Sequence, residues 1–305
     1  MLRRFQEAIK AHETAIKLAP GLANIKGKNE VKKVPKYDEK DSHCIGCNSN
    51  NTEIVFVCNQ SMVGNNFEVL NPIRIWKGCN DCRLVFAGNM PSGKALDEYY
   101  AKNFVQMLPG GTGFSFSEMG NPEGYLKYSR NRIVRIEKFL GKKGRILDVG
   151  AGAGTFIKTC IDHGWQSTGL EFSPERVAYA NKKWSIELLQ QDFFDMDMSN
   201  KFDVITLFEV IEHLVKPWDA LQKAAELLNN GGILVIATPF RDSKFSMSLG
   251  LNDFWWNEPA HLTYMDTQSL IINAQKFGLK LITVDEGEEG AGRLEVYLQK
   301  ENVTP

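Results

Sequence analysis

The 305-residue sequence predicts an α/β protein: a doubly wound, largely parallel sheet over its C-terminal half, preceded by a small cysteine-bearing module and an N-terminal helix. Three observations carry that expectation. After Gly141, short apolar runs alternate with amphipathic stretches, the pattern of parallel strands joined by crossover helices. Two Cys-x-x-Cys pairs, Cys44/Cys47 and Cys79/Cys82, flank β-rich runs at Thr52–Val57 and Ile73–Trp76. Near the N-terminus, Phe5, Ala8, Ile9, Ala15, Ile16 and Leu18 recur at helical spacing before Pro20-Gly21. Composition agrees, since 43% apolar and 24% charged residues exclude a disordered or collagen-like chain. A net charge of -1 argues against a basic coat for nucleic acid or an anionic membrane. No run nears the roughly 18 apolar residues of a membrane span, and no apolar stretch follows Arg3-Arg4, so a cytoplasmic location is expected.

Residues 1–25 form an amphipathic helix that resembles half of a tetratricopeptide repeat. A lone half-repeat lacks the three or so units a solenoid needs, so docking to another protein is its expected use. Residues 26–41 are a Lys-rich, exposed linker. Residues 42–90 carry the cysteine pairs. Two residues between cysteines let one turn present both sulfurs to the same ion, and Gly46 relaxes the first turn. Cys44, Cys47, Cys79 and Cys82 therefore read as a zinc ribbon, whose ion is structural because protein fills all four positions. Cys58 and Cys160 read as small core residues, Cys58 near the metal. Residues 91–141 are a helical connector or lid, with helices at Ala95–Tyr100 and Tyr125–Leu140, and residues 142–305 form the sheet domain.

In that domain the strand Arg145–Val149 carries Asp148 and runs into Gly150-Ala151-Gly152-Ala153-Gly154 before a helix, which lets backbone approach a ligand closely. The next strand ends at Gly169-Leu170-Glu171, an acid placed to accept from both hydroxyls of a ribose. A third, Ile186–Gln191, ends at Asp192-Phe193, an acid and an aromatic that can flank an adenine. A fourth, Phe202–Phe208, runs into Glu209-Val210-Ile211-Glu212-His213. With these residues, the stretch 145–299 resembles the class I S-adenosylmethionine-dependent methyltransferases. The resemblance implies a Rossmann-like, seven-stranded sheet whose last strand, Arg293–Leu298, is antiparallel. It also implies that S-adenosylmethionine is held by Asp148, Gly150, Ala151 and Gly152, by Glu171 and Phe172, by Asp192 and Phe193, and by Phe208 and Glu209. The run Cys79–Phe86, with Pro91-Ser92 and Tyr99-Tyr100, is similar to the N-terminal zinc module of bacterial methyltransferases acting on sugars, glycans and small metabolites, with Arg83 where glycine is commoner. A sugar, glycan or related small-molecule hydroxyl is the acceptor this implies.

Methyl transfer from a sulfonium to a hydroxyl is an in-line displacement that needs a base as the bond forms. His213, next to Glu212, and His261, in the aromatic segment Trp255–Leu262, are the candidates. That segment is expected either to cover the acceptor and stack on a sugar face, or to supply core tryptophans with His261 as a hydrogen-bonded structural residue. A second reading groups Glu209, Glu212 and His213, at i, i+3, i+4 helical spacing, with His261. This set is similar to the magnesium site of small-RNA 3′-terminal ribose methyltransferases and to an arrangement in some quinone-biosynthesis O-methyltransferases. A third reading, a donor-binding scaffold without turnover, is disfavoured by the complete donor set. Tyr125, Tyr128, Arg130 and Arg132 lie on a helix that closes over the donor in relatives, where one of them can reach its carboxylate.

Overall fold

The structure, a computed structural model, describes residues 43–60, 70, 73–96, 98, 122–286 and 292–302. The expected N-terminal helix with its docking role, the linker at 26–41 and residues 99–121 of the connector lie outside the described residues. The cysteine module is an antiparallel sheet in the order β1 (Thr52–Asn59), β2 (Ile73–Cys79), β3 (Val85–Ala87). Helix α1 (Pro122–Leu140) leads into the main domain. There β4 (Arg145–Val149), α2 (Thr155–Asp162), β5 (Gln166–Leu170), α3 (Pro174–Trp184), β6 (Phe202–Phe208), α4 (Pro217–Leu227) and β7 (Leu228–Pro239) alternate. After the short α5 (Lys244–Leu249) come α6 (Thr267–Gln275), β8 (Leu279–Glu286) and β9 (Arg293–Lys300).

The main sheet runs β5-β4-β6-β7-β9-β8, with β5, β4, β6 and β7 parallel and β9 antiparallel to both its neighbours. β4 and β6 are buried on both faces because helices cover both, as parallel strands require. Among the described residues the sheet has six ladder strands where seven were expected. The segment Ile186–Gln191 touches it through one parallel bridge, Leu189 to Leu170, at the sheet edge. Leu189 stays exposed there, so little burial favours a longer ladder. One face of the sheet packs Ile133 and Ile136 of α1 on Ile146, Phe156, Cys160 and Val204. The core on the other face, around Leu221, Phe240 and Leu270, is continuous with Cys44, Cys79 and Cys82, so the module shares it. Cys160 is buried as expected, whereas Cys58 stands apart from the cysteine cluster and its Sγ donates to the carbonyl of Trp256 at 3.2 Å. No helix among the described residues is long and apolar enough to cross a membrane.

Candidate functional site

Past β4 the chain turns through Gly150, Gly152 and Gly154 at φ of 72°, 56° and 79°, a left-handed region that strains other residues. A Cβ at Gly150 would also lie 2.6 Å from Val210. Glu171, just beyond β5, braces this loop by accepting from the Gly152 amide at 2.8 Å and the Ser173 amide at 2.9 Å. Asp148, buried, accepts from the Thr206 hydroxyl at 2.6 Å. Ala151 donates to Leu170 O at 2.7 Å, tying the loop to β5. Asp192 caps the turn Phe193–Asp195 through the Phe194 amide, and Phe193 is buried while Phe194 is 40% exposed. The ring that meets solvent beside Asp192 is therefore Phe194, with Phe172, 73% exposed, nearby in sequence after Glu171. Phe208 ends β6 edge-on to Phe156 at 5.1 Å. The chain leaves β4 for β5 on one side and then crosses to β6 on the other, which opens a crevice at the strand ends where ligands bind in such sheets. Left-handed glycines, an acid on the next strand and exposed rings at that crevice fit a nucleoside donor.

Across the crevice, the helix that would gather Glu209 with Glu212 and His213 does not form. Glu209 adopts left-handed backbone at φ 55° ahead of a 3-10 turn, Ile211–His213, and its carboxylate pairs with Arg293 Nε at 2.9 Å. The expected four-residue set is corrected to three: Glu212, His213 and His261, whose ligand atoms lie within 4.8 Å of one another. His213 Nδ1 is 3.0 Å from the Ala260 carbonyl, which can only accept, so the ring proton sits on Nδ1 and the lone pair on Nε2. That Nε2 is 3.9 Å from Glu212 Oε1, and His261 Nε2 is 4.0 Å from the same oxygen. Glu212 is 2% exposed, and neither of its oxygens, nor His261 Nδ1, makes a hydrogen bond of ordinary geometry, though the Thr238 side chain and the Glu212 backbone act on the carboxyl to favour its charge. Burial pushes Glu212 up to about 7, holds His213 below the ordinary imidazole value and drives His261 well below it. His261 stacks on Trp255 at 5.4 Å, over which the Arg293 guanidinium also lies. Trp256 packs against Trp76 and Tyr264. Both tryptophans are thus core residues, not a platform for a sugar.

The four cysteines converge. Cys44 and Cys82 sulfurs are 3.5 Å apart, Cys47 and Cys79 are 3.6 Å apart, and all four lie within 4.8 Å. Tetrahedral zinc at about 2.3 Å from each sulfur would space them by about 3.8 Å, so these residues fit the ion. The hydrogen bond between Cys44 and Cys82 drives the first thiol up and the second down, as two sulfurs sharing one proton require. The two turns are near-copies. Asn48 donates to Cys44 O and Arg83 to Cys79 O, both from left-handed backbone at φ 60° and 64°. This explains why glycine suits the position after the last cysteine, and Arg83 meets Asp266 at 3.3 Å instead.

On α1, Tyr128 and Arg132 turn inward to Glu295, and Arg130 is exposed. Glu295 and Arg74, a buried module residue, give little signal in the sequence because the arginines that pair with the first and the carbonyls that hold the second lie more than 150 residues away.

A left-handed glycine turn at the switch point of a mixed α/β sheet, facing a histidine–carboxylate cluster, defines a donor-binding group-transfer fold. Residues 124–284, more than half of the chain, match the family described as a methyltransferase domain, and the chain belongs to that family, the class I S-adenosylmethionine-dependent methyltransferases. The ubiquinone biosynthesis O-methyltransferase of Coxiella burnetii (strain Dugway 5J108-111) is 29% identical over 135 residues, 41% of this chain and 58% of that protein. The protein of the same name from Nitrobacter winogradskyi is 32% identical over 112 residues, 35% of this chain and 42% of the relative. The chain thus spans 58% or less of the length of these two relatives. A solved S-adenosylmethionine-dependent methyltransferase from Clostridium acetobutylicum ATCC 824 aligns at a TM-score of 0.50 and 13% identity over 61% of this chain and 96% of that one, a likeness of fold.

Proposed function

We propose that the protein moves a methyl group from S-adenosylmethionine to a hydroxyl oxygen of a small acceptor, with His213 as general base. The observation that carries this reading is the setting of His213: its Nδ1 donates to Ala260 O at 3.0 Å, which fixes the ring, and burial holds the imidazole below its ordinary value, so that it stays neutral and able to accept a proton. The bound donor supplies an electrophilic methyl on a sulfonium. Gly150, Gly152, Glu171 and Asp192 orient it, Glu212 and His261 hold the His213 ring, and the shell around Trp255 excludes water. Among acceptors, the relatives' names favour oxygen and the hydroxyls of a quinone precursor, and the packing of both tryptophans into the core removes the stacking argument for a sugar, which then rests on the resemblance of the cysteine module alone. Labelled donor incubated with fractionated extract, then mass identification, separates the two: an organic-phase product supports the precursor, and a polar glycoside overturns it. His213→Asn is expected to lower kcat on the order of 10²-fold and to remove the acid limb of the pH–rate profile. The four cysteines are proposed to hold a structural zinc.

A second reading rests on the two buried Glu212 oxygens that lack a hydrogen bond of ordinary geometry, since such a group calls for an ion or a proton. Two imidazoles and one carboxylate suit manganese, iron or zinc better than magnesium. Glu212→Gln would then remove calorimetric binding of Mn2+ without touching the cysteine-bound zinc. Full turnover in excess chelator, with the zinc retained by elemental analysis, would sink this reading.

A further inference from the structure

The module holds, carbonyl by carbonyl, the segment that carries His261. Trp256 O accepts from Trp76 Nε1 at 3.0 Å and from the Cys58 thiol. Glu258 O accepts from Gln60 Nε2 at 3.4 Å, and Leu262 O from the Ala87 amide at 2.8 Å. The guanidinium of Arg74, in β2 and 2% exposed, spans the middle: Nη2 donates to Pro259 O at 2.8 Å and Nη1 to His261 O at 3.0 Å. On its other side the segment donates from the Leu262 and Thr263 amides to Glu212 O at 2.8 and 3.1 Å. The residue between the two carbonyls gripped by Arg74 is Ala260, whose own carbonyl sets the His213 tautomer.

We infer that Arg74 is a positioning residue for the proposed transfer, fixing His261 against Glu212 and, through Ala260, the proton and orientation of His213. The inference rests on the proposed role of that cluster. A guanidinium fork reaches two carbonyls from one rigid plane, and a lysine ammonium reaches them only as a point donor. Methyl transfer is sensitive to such placement, since a displacement near 1 Å can cost about 10²-fold in rate.

The test uses the full chain, 15N-labelled and saturated with S-adenosylhomocysteine, at one pH above the imidazole range. Arg74→Met is expected to move the imidazole 15N resonances of both His213 and His261. It should speed amide exchange at Leu262 and Thr263 by about tenfold or more while leaving S-adenosylhomocysteine affinity within about twofold. Transfer to the active acceptor fraction should lose about 10- to 100-fold in kcat at unchanged donor KM, with Arg74→Lys recovering part. Unchanged imidazole resonances in Arg74→Met overturn the inference, as does a loss confined to donor affinity. If Arg74→Met does not fold, the same resonances are read in Arg74→Lys, and their constancy there overturns it. If the unsubstituted protein methylates no fraction, the proposed reaction falls while the imidazole spectra still decide the role of Arg74.

Discussion

Glu295→Met is expected to lower the unfolding free energy by about 3–5 kcal/mol in a denaturant titration. Glu295 lies in β9, 1% exposed, and its two oxygens collect Arg132 Nε at 2.6 Å, Tyr128 OH at 3.0 Å, Arg135 Nη1 at 3.0 Å and Tyr297 OH at 2.7 Å. Arg132 in turn donates to Tyr128 OH at 2.7 Å and stacks 3.8 Å from the ring of Phe208, the last residue of β6. Removing the acid strands a buried guanidinium, which costs more than the pair itself contributes. The double variant Arg132→Met, Glu295→Met is therefore expected to be the more stable of the two, and a double variant weaker than Glu295→Met would contradict the argument. Burial pushes the Glu295 carboxyl up, but the Arg132 charge and the hydrogen bonds from Arg132, Tyr297 and Tyr128 outweigh it, so the group sits below its ordinary 4.5. A carboxyl depressed in the fold adds stability that is present above that ordinary value and is lost as pH falls through the folded one. Glu295→Gln should lack this part of the acid transition.

The features legible from sequence were those whose partners are near in the chain. A cysteine pair declares its geometry within four residues, and β4 declares its burial and its glycine turn within ten. Spacing misled where it presumed a regular backbone. Glu209, Glu212 and His213 share a face only on an α-helix, and the left-handed Glu209 breaks that register and hands its carboxylate to Arg293. Phe193 and Phe194 are adjacent, and the choice of which turns inward is made by the capped turn that Asp192 starts. Ile186–Gln191 has a strand's alternation but only one edge neighbour. Arg74 and Glu295 give no local signal at all, because a buried charge in a strand is explained only by the carbonyls or guanidinium that the fold brings to it.

Cys82→Ser carries the larger consequence, since structural zinc binding in small domains is worth on the order of 10 kcal/mol and becomes folding free energy. Here the cysteines do not stand on an appendage. Cys44, Cys79 and Cys82 belong to the same core as Leu221 and Phe240, and Asn273 of α6 donates to Cys82 O at 3.2 Å. β2 starts at Ile73 and ends on Cys79, so the strand that carries Arg74 ends in the second cysteine turn. The expected result is one zinc per chain in the unsubstituted protein and less in Cys82→Ser. The thermal midpoint should fall by more than about 10 °C, at the usual 2–4 °C per kcal/mol for a domain of this size. Amide exchange should rise first in β1 to β3 and in the 256–264 segment, with the β4 and β6 amides protected longest, because the ladder around β4 is held by burial on both faces. A protein isolated without zinc whose midpoint ignores chelator would show that four thiols pack as a plain apolar cluster. Their spacing close to that of a tetrahedral set would then be a matter of packing alone.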